Sequence, residues 1–260
     1  MMRLVLVCAL LIAVVASAPQ ASNLFPSSRG KIIGGEPVEI EDYPYQVSIQ
    51  SEKYHFCGGF IVSPNTILTA AHCIHKGGVS EFTVAYGSKH LYRGTSTTVN
   101  SVELHEDYDA SSRDYDIALL LLTKKIVFDS TTAEIRMTST PQSTTRRVTY
   151  VSGWGQISPE GGSTDYLQAT AVTEVLHEDC NYYNFGRITK RMICFGDYGK
   201  YACQTDFGGP LIDKNQNCFL DVCVRRSSTS NCLYEYLLLS PMDNKSLEKI
   251  INQLYPSNCI

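Results

Sequence analysis

The chain has 260 residues, 43% of them hydrophobic, and a formal net charge of −4 at pH 7. This length and composition allow a full core and do not indicate disorder. The acidic balance gives no overall electrostatic support for binding nucleic acid or heparin. We therefore expect no nucleic-acid partner.

The N-terminus has the pattern of a secretory signal peptide. Arg3 precedes an apolar run from Leu4 to about Ala16, and small residues follow. We assign 1–18 to the signal and 19–31 to a propeptide, which leaves 32–260 as the mature domain. The run is too short for a membrane anchor. We expect a secreted, extracellular protein with no membrane contact.

Short runs with strand composition recur along the chain, separated by turn residues. They are Tyr45–Gln50, Phe60–Ser63, Phe82–Tyr86, Thr97–Leu104, Ile117–Leu122, Val148–Ser152, Leu167–Val175, Met192–Phe195 and Phe219–Val224. Helical spacing is clearest near the C-terminus, at Leu247, Ile250, Ile251 and Leu254, with Asp243 as a candidate N-cap. The pattern favours an all-β barrel protein with a C-terminal helix.

Cysteines are numerous: ten in all, of which Cys8 leaves with the signal. Disulfides are the default in an oxidising compartment, whereas a zinc site would require paired ligand spacings that this sequence lacks. We expect no metal and no cofactor. Because nine is odd, at least one thiol is free or pairs with another molecule.

Five motifs occur in order along most of the chain. They are IIGG after Lys31, TAAHC at 69–73, DIALL at 116–120, GWG at 153–155 and DFGGP at 206–210. Together they resemble the trypsin/chymotrypsin family, with an unrelated β protein as the alternative. The resemblance implies two six-stranded antiparallel β-barrels, a cleft between them and a C-terminal helix. It also implies three disulfides, Cys57–Cys73, Cys180–Cys194 and Cys203–Cys232; the pairing of Cys218, Cys223 and Cys259 stays open.

The resemblance places His72 and Asp116 at two positions of the catalytic triad and Phe207 at the position of the serine. A triad needs a hydroxyl that gives its proton to the histidine, and a phenyl ring has none. We therefore expect a protein that is not an enzyme, a pseudoprotease. The alternative is a hydrolase with residual or non-standard activity, because loss of one triad member can leave some catalysis.

Neighbouring positions support the same expectation. Thr205 stands where the family has an oxyanion-hole glycine, which suits a backbone that a β-branched residue resists. Tyr201 falls at the floor of the specificity pocket and Arg226 at its mouth, to within one or two residues. We expect an occluded pocket and no peptide substrate in the cleft.

Other positions carry structural expectations. Val224 aligns with a serine that hydrogen-bonds the triad aspartate in the family, so Asp116 would lose a partner and favour its neutral form. Cleavage after Lys31 would free an Ile32 ammonium, which the resemblance pairs with Asp206 as a lock on the fold. Asn244 begins a glycosylation sequon.

The sequence further resembles the scabies mite inactivated protease paralogues, a family of secreted proteins associated with inhibition of host complement. That resemblance implies a binding protein that contacts host complement components through surface exosites. A decoy for protease inhibitors is the remaining alternative.

Overall fold

The computed structural model describes residues 35–137, 146–155, 164–196, 206–213, 218–225 and 237–240. It confirms the predicted fold class, because the chain is mostly β and its strands form two antiparallel rings. Within these ranges, no helix is long and apolar enough to cross a membrane.

The first barrel is a closed ring of six strands in the order β2, β3, β4, β7, β6 and β5. Their bounds are β2 Gln46–Ser51, β3 Tyr54–Ser63, β4 Thr66–Thr69, β5 Phe82–Tyr86, β6 Thr95–Leu104 and β7 Ala118–Leu122. Glu52 and Lys53 join β2 to β3 as a two-residue turn, with φ of 50° and 72°. Positive φ at both positions matches the twist of a tight hairpin. The ring closes where β2 pairs with β5.

The second barrel is also a ring of six strands. β9 pairs with both β10 and β12, which closes the order β9, β10, β11, β14, β13 and β12. The bounds are β9 Val148–Gly153, β10 Gln168–Val175, β11 Ile193–Phe195, β12 Pro210–Asp213, β13 Cys218–Arg225 and β14 Leu237–Ser240. Two short strands flank it: β1 (Glu36–Pro37) pairs with β10, and β8 (Arg136–Met137) runs parallel to β13.

Helices are short in the described ranges. One α-helix spans Ala71–Ile74, directly after β4, and another spans His177–Tyr183 between β10 and β11. Single 3-10 turns lie at Ile40–Asp42 and Val79–Glu81. The helix predicted near the C-terminus lies outside the described residues.

Apolar side chains of the first barrel form the larger core. Strand β7 reads ALLLL, and four of its five residues are buried, as expected for a strand with little solvent contact on either face. The structure contains the disulfides Cys57–Cys73 and Cys180–Cys194. These are two of the three pairs that the resemblance implies, and the third lies outside the described residues.

Candidate active site

His72 and Asp116 meet at one end of the first barrel. His72 lies in the helix that follows β4, and Asp116 lies just before β7, the neighbour of β4 in the ring. The imidazole Nδ1 is 2.8 Å from Asp116 Oδ2, and the His72 backbone N–H donates to Asp116 Oδ1 at 2.7 Å. The carboxylate thus holds His72 at its ring and at its backbone, and the contact with Nδ1 is how a triad aspartate orients its histidine.

Asp116 is fully buried, and burial raises the pKa of its carboxyl to about 7. The charges of Arg113 and His75 and the backbone N–H of Ala71 oppose that shift and lower the pKa. The guanidinium Nη1 of Arg113 lies 3.8 Å from Asp116 Oδ2. Burial and the nearby Arg113 cation thus shift the pKa of the Asp116 carboxyl in opposite directions.

Phe207 lies against His72. The two rings make an edge-to-face contact with their centroids 5.4 Å apart. Phe207 is partly buried and packs against the large core of the first barrel and against a smaller cluster of the second. Its ring therefore fills space between the barrels beside the imidazole.

The loop that carries Phe207 is fixed by backbone contacts to the first barrel. The carbonyl of Phe207 accepts a hydrogen bond from the Gly58 N–H at 2.7 Å. Gly208 has a φ of 84°, and a Cβ there would collide with Thr69 Oγ1 and with the carbonyl oxygen of Gly58. Only glycine adopts this positive φ readily and also leaves room for these two oxygen atoms. This explains the first glycine of the DFGGP motif as a requirement of backbone packing.

Asp206 is buried on the other side of the same loop and contacts the GWG motif. Its Oδ1 accepts a hydrogen bond from the Gly155 N–H at 2.7 Å. A Cβ at Gly153 or at Gly155 would collide with the Asp206 carboxylate. Trp154, between them, is buried and donates from Nε1 to the Lys89 carbonyl at 2.9 Å. The two motifs thus form one packed unit.

Cys57, His72 and Cys73 bring ligand-type atoms within 4.8 Å of one another. Metal binding by cysteine requires a thiolate. The two sulfurs are bonded to each other, so this group offers only the imidazole.

Sequence reasoning missed an ionic contact that fixes the loop before Asp116. Arg191, near β11, forms an ion pair with Asp114, and its guanidinium lies over the Tyr115 ring at 4.4 Å. Thr189 Oγ1 also donates to Asp114 Oδ1 at 3.2 Å. The second barrel thereby holds the segment that leads to Asp116. Charged and aromatic residues just before the DIALL motif were the available signal.

Several predicted site residues lie outside the described residues. These are Ile32, Tyr201, Cys203, Thr205, Arg226, Cys232 and Asn244. The predicted Ile32–Asp206 pair, the pocket floor and mouth, the oxyanion position and the glycosylation site stay predictions. The side chain of Val224 is likewise not described.

Two antiparallel barrels with a His–Asp pair between them define a serine-protease fold, and comparison with known proteins agrees. The family model described as Trypsin matches residues 32–229. Hypodermin-B from Hypoderma lineatum is 40% identical over 214 residues, covering 80% of this chain and 82% of its own length. The vitellin-degrading protease of Bombyx mori is 35% identical and covers 81% of each chain. The chain belongs to the trypsin family.

These comparisons correct one expectation. The prediction that the chain is not an enzyme is wrong as an assignment of class, because the chain belongs to a peptidase family. Relatives that cover most of it are named as proteases and trypsins. Phe207 was given too much weight in that prediction. A change at one triad position does not by itself establish loss of hydrolysis, since binding and the remaining site can still stabilise a transition state.

Proposed function

We propose that this trypsin-family chain acts outside the cell as a protein-binding factor that inhibits host complement. The signal-like N-terminus and the likeness to the mite paralogues support this function. The observation that carries it is the edge-to-face contact of Phe207 with His72, by which the Phe207 ring fills space between the barrels beside the imidazole. Recognition of the partner is therefore assigned to the surface outside the cleft, on loops that a rigid barrel frame holds in place.

The test is lysis of antibody-coated erythrocytes by human serum in the presence of the mature chain, beginning at Ile32. Complement components are followed by gel electrophoresis in the same reaction. We expect lysis to fall with dose while the components stay intact. Unchanged lysis at a molar excess over every component would refute the proposal.

Hydrolysis is the second candidate, and the intact His72–Asp116 geometry favours it. The imidazole, oriented by the carboxylate, has the arrangement of a general base. The names of relatives such as the vitellin-degrading protease and a trypsin point the same way. In the lysis assay this candidate predicts cleaved complement components, and His72→Ala should abolish the cleavage. Intact components, together with no turnover of ester substrates above the His72→Ala level, would refute it.

A further inference from the structure

Aromatic side chains project from the helix His177–Tyr183 and the turn after it. Tyr182 is 80% exposed, Phe185 77% and Tyr183 55%, and Leu176 just before the helix is exposed as well. We refer to Leu176, Tyr182, Tyr183 and Phe185 as the aromatic face. Single exposed apolar residues are ordinary, but neighbouring ones such as Tyr182 and Tyr183, whose rings meet edge to face with centroids 5.4 Å apart, mark an interaction surface.

The helix beneath this face is held firmly. Cys180 is completely buried and is bonded to Cys194 in β11. Asn184 Nδ2 donates to the Cys180 carbonyl at 2.8 Å, and Asn181 Oδ1 accepts from the Ile188 N–H at 3.0 Å. A surface that is already ordered loses little conformational entropy on binding.

The turn after the helix directs a large apolar side chain outwards. Phe185 has a φ of 56°, a conformation that is uncommon for a bulky residue, and Gly186 follows with a φ of 74°. These two backbone conformations do not serve to bury the Phe185 ring, because that ring is mostly in solvent. Folding of this chain alone therefore gives no reason for an aromatic residue here, whereas binding does.

Charged residues precede and follow the aromatic face along the chain. Glu178 and Asp179 are exposed and lie four residues before Tyr182 and Tyr183, so they share the outer side of the helix. Neither carboxylate forms an ion pair with another described residue of the chain. Arg187 is exposed at the opposite end. Along the chain, these exposed residues are thus first acidic, then aromatic and then basic.

We propose that the aromatic face is the contact surface for a protein partner of complementary charge. The partner presents Lys or Arg side chains to Glu178 and Asp179, where a cation can also lie over a tyrosine ring. It presents an apolar side chain to Phe185 and a carboxylate to Arg187. Anionic lipid is not the occupant, since Glu178 and Asp179 would repel its headgroups. This inference rests on the proposed function and names the surface that performs it.

The experiment compares the mature chain with Tyr182→Ser/Phe185→Ser in the serum lysis assay. The matched control is Tyr54→Ser, since Tyr54 is 72% exposed at the start of β3 in the first barrel. We expect the double variant to need at least about tenfold more protein for half-inhibition, the size of a central aromatic contact. Tyr54→Ser should match the wild type. All three proteins should unfold at the same temperature, because none of these rings is buried.

A second variant tests the charges. Glu178→Lys/Asp179→Lys should weaken inhibition, and the loss should shrink as salt is raised. If the wild type inhibits lysis and both double variants inhibit it equally well, the aromatic face is not the contact surface, while the proposed function stands. No inhibition by the wild type would overturn the proposed function and this surface with it. Binding of wild type, but not of Tyr182→Ser/Phe185→Ser, to vesicles of phosphatidylserine and phosphatidylcholine would replace the protein partner by a membrane and overturn the inference.

Discussion

The ring of Phe207 meets the imidazole of His72 edge to face, with the centroids 5.4 Å apart. On its other side the imidazole is held by Asp116 at 2.8 Å. His72 is therefore fixed between a carboxyl from the first barrel and an aromatic ring from the loop before β12. That loop is itself anchored to Gly58 in β3. The contact joins the two barrels at the centre of the candidate site.

The contact should contribute to stability. Phe207→Ala removes a partly buried ring that packs on both cores, so we expect the free energy of unfolding to fall by about 1–3 kcal/mol. Urea unfolding followed by Trp154 fluorescence measures it. Phe185→Ala is the control, with an expected change within about 0.5 kcal/mol because its ring is exposed. Equal values for the two variants would show that Phe207 does not join the cores.

Asp116 should make stability depend on pH. Burial raises its pKa from 3.8 to about 7, so between these values the folded chain holds a proton that the unfolded chain releases. The stability from this proton is present below about pH 4 and is lost as pH rises through about 7. Relative to Asp116→Asn, the wild type should lose about 2–4 kcal/mol between about pH 4 and pH 8.

The measurement is urea unfolding of both proteins at several pH values, with the difference taken at each pH so that titrating groups distant from Asp116 cancel. A difference that is flat across this range would show that the folded carboxyl keeps its ordinary pKa.

Arg113 should hold the pKa of Asp116 below the level that burial alone would give. Its Nη1 lies 3.8 Å from Asp116 Oδ2, and its charge lowers that pKa. Arg113→Met should raise the pKa of Asp116, whereas Arg113→Lys should raise it less. Carboxyl carbon shifts of Asp116 in an NMR titration report it directly. If Asp116 has the same pKa in Arg113→Met as in the wild type, the charge of Arg113 does not affect that pKa.

Gly155 should tolerate no side chain. A Cβ there would collide with the buried Asp206 carboxylate, so Gly155→Ala should destabilise the fold by about 2–4 kcal/mol. Gly78→Ala is the control, since its Cβ would meet only the flexible end of Glu81. Thermal unfolding of both variants tests the difference. Similar melting temperatures would show that the GWG backbone can move away from Asp206.

Motifs predicted more of this structure than periodicity did. The five ordered motifs led to both barrels and to the His72–Asp116 pair. Strand composition found β5 with its observed bounds but missed β4, which has only four residues, and β12, which begins at Pro210. Proline cannot donate in a sheet, so it argues against a strand in a single sequence. Strand β12 forms nevertheless, because its residues pair with β9 and β13.

The sequence alone could not predict features that depend on contacts between distant segments. The helix His177–Tyr183 buries only Cys180, so it has no apolar stripe of helical period to detect. The proximity of Arg113 to Asp116 depends on positive φ at Arg113 and Tyr115, which no local propensity predicts for such residues. The expectation about enzyme class was wrong for a different reason, because it set the residues at Phe207 and neighbouring positions above membership of a peptidase family.

Complement-mediated lysis tests the central claim most directly. Mature wild-type chain, Tyr182→Ser/Phe185→Ser and Tyr54→Ser are titrated into human serum with antibody-coated erythrocytes, and complement components are examined for cleavage. The account predicts inhibition by the wild type and by Tyr54→Ser, a loss of about tenfold for the double variant, and intact components. Full lysis at every concentration of wild type would contradict it.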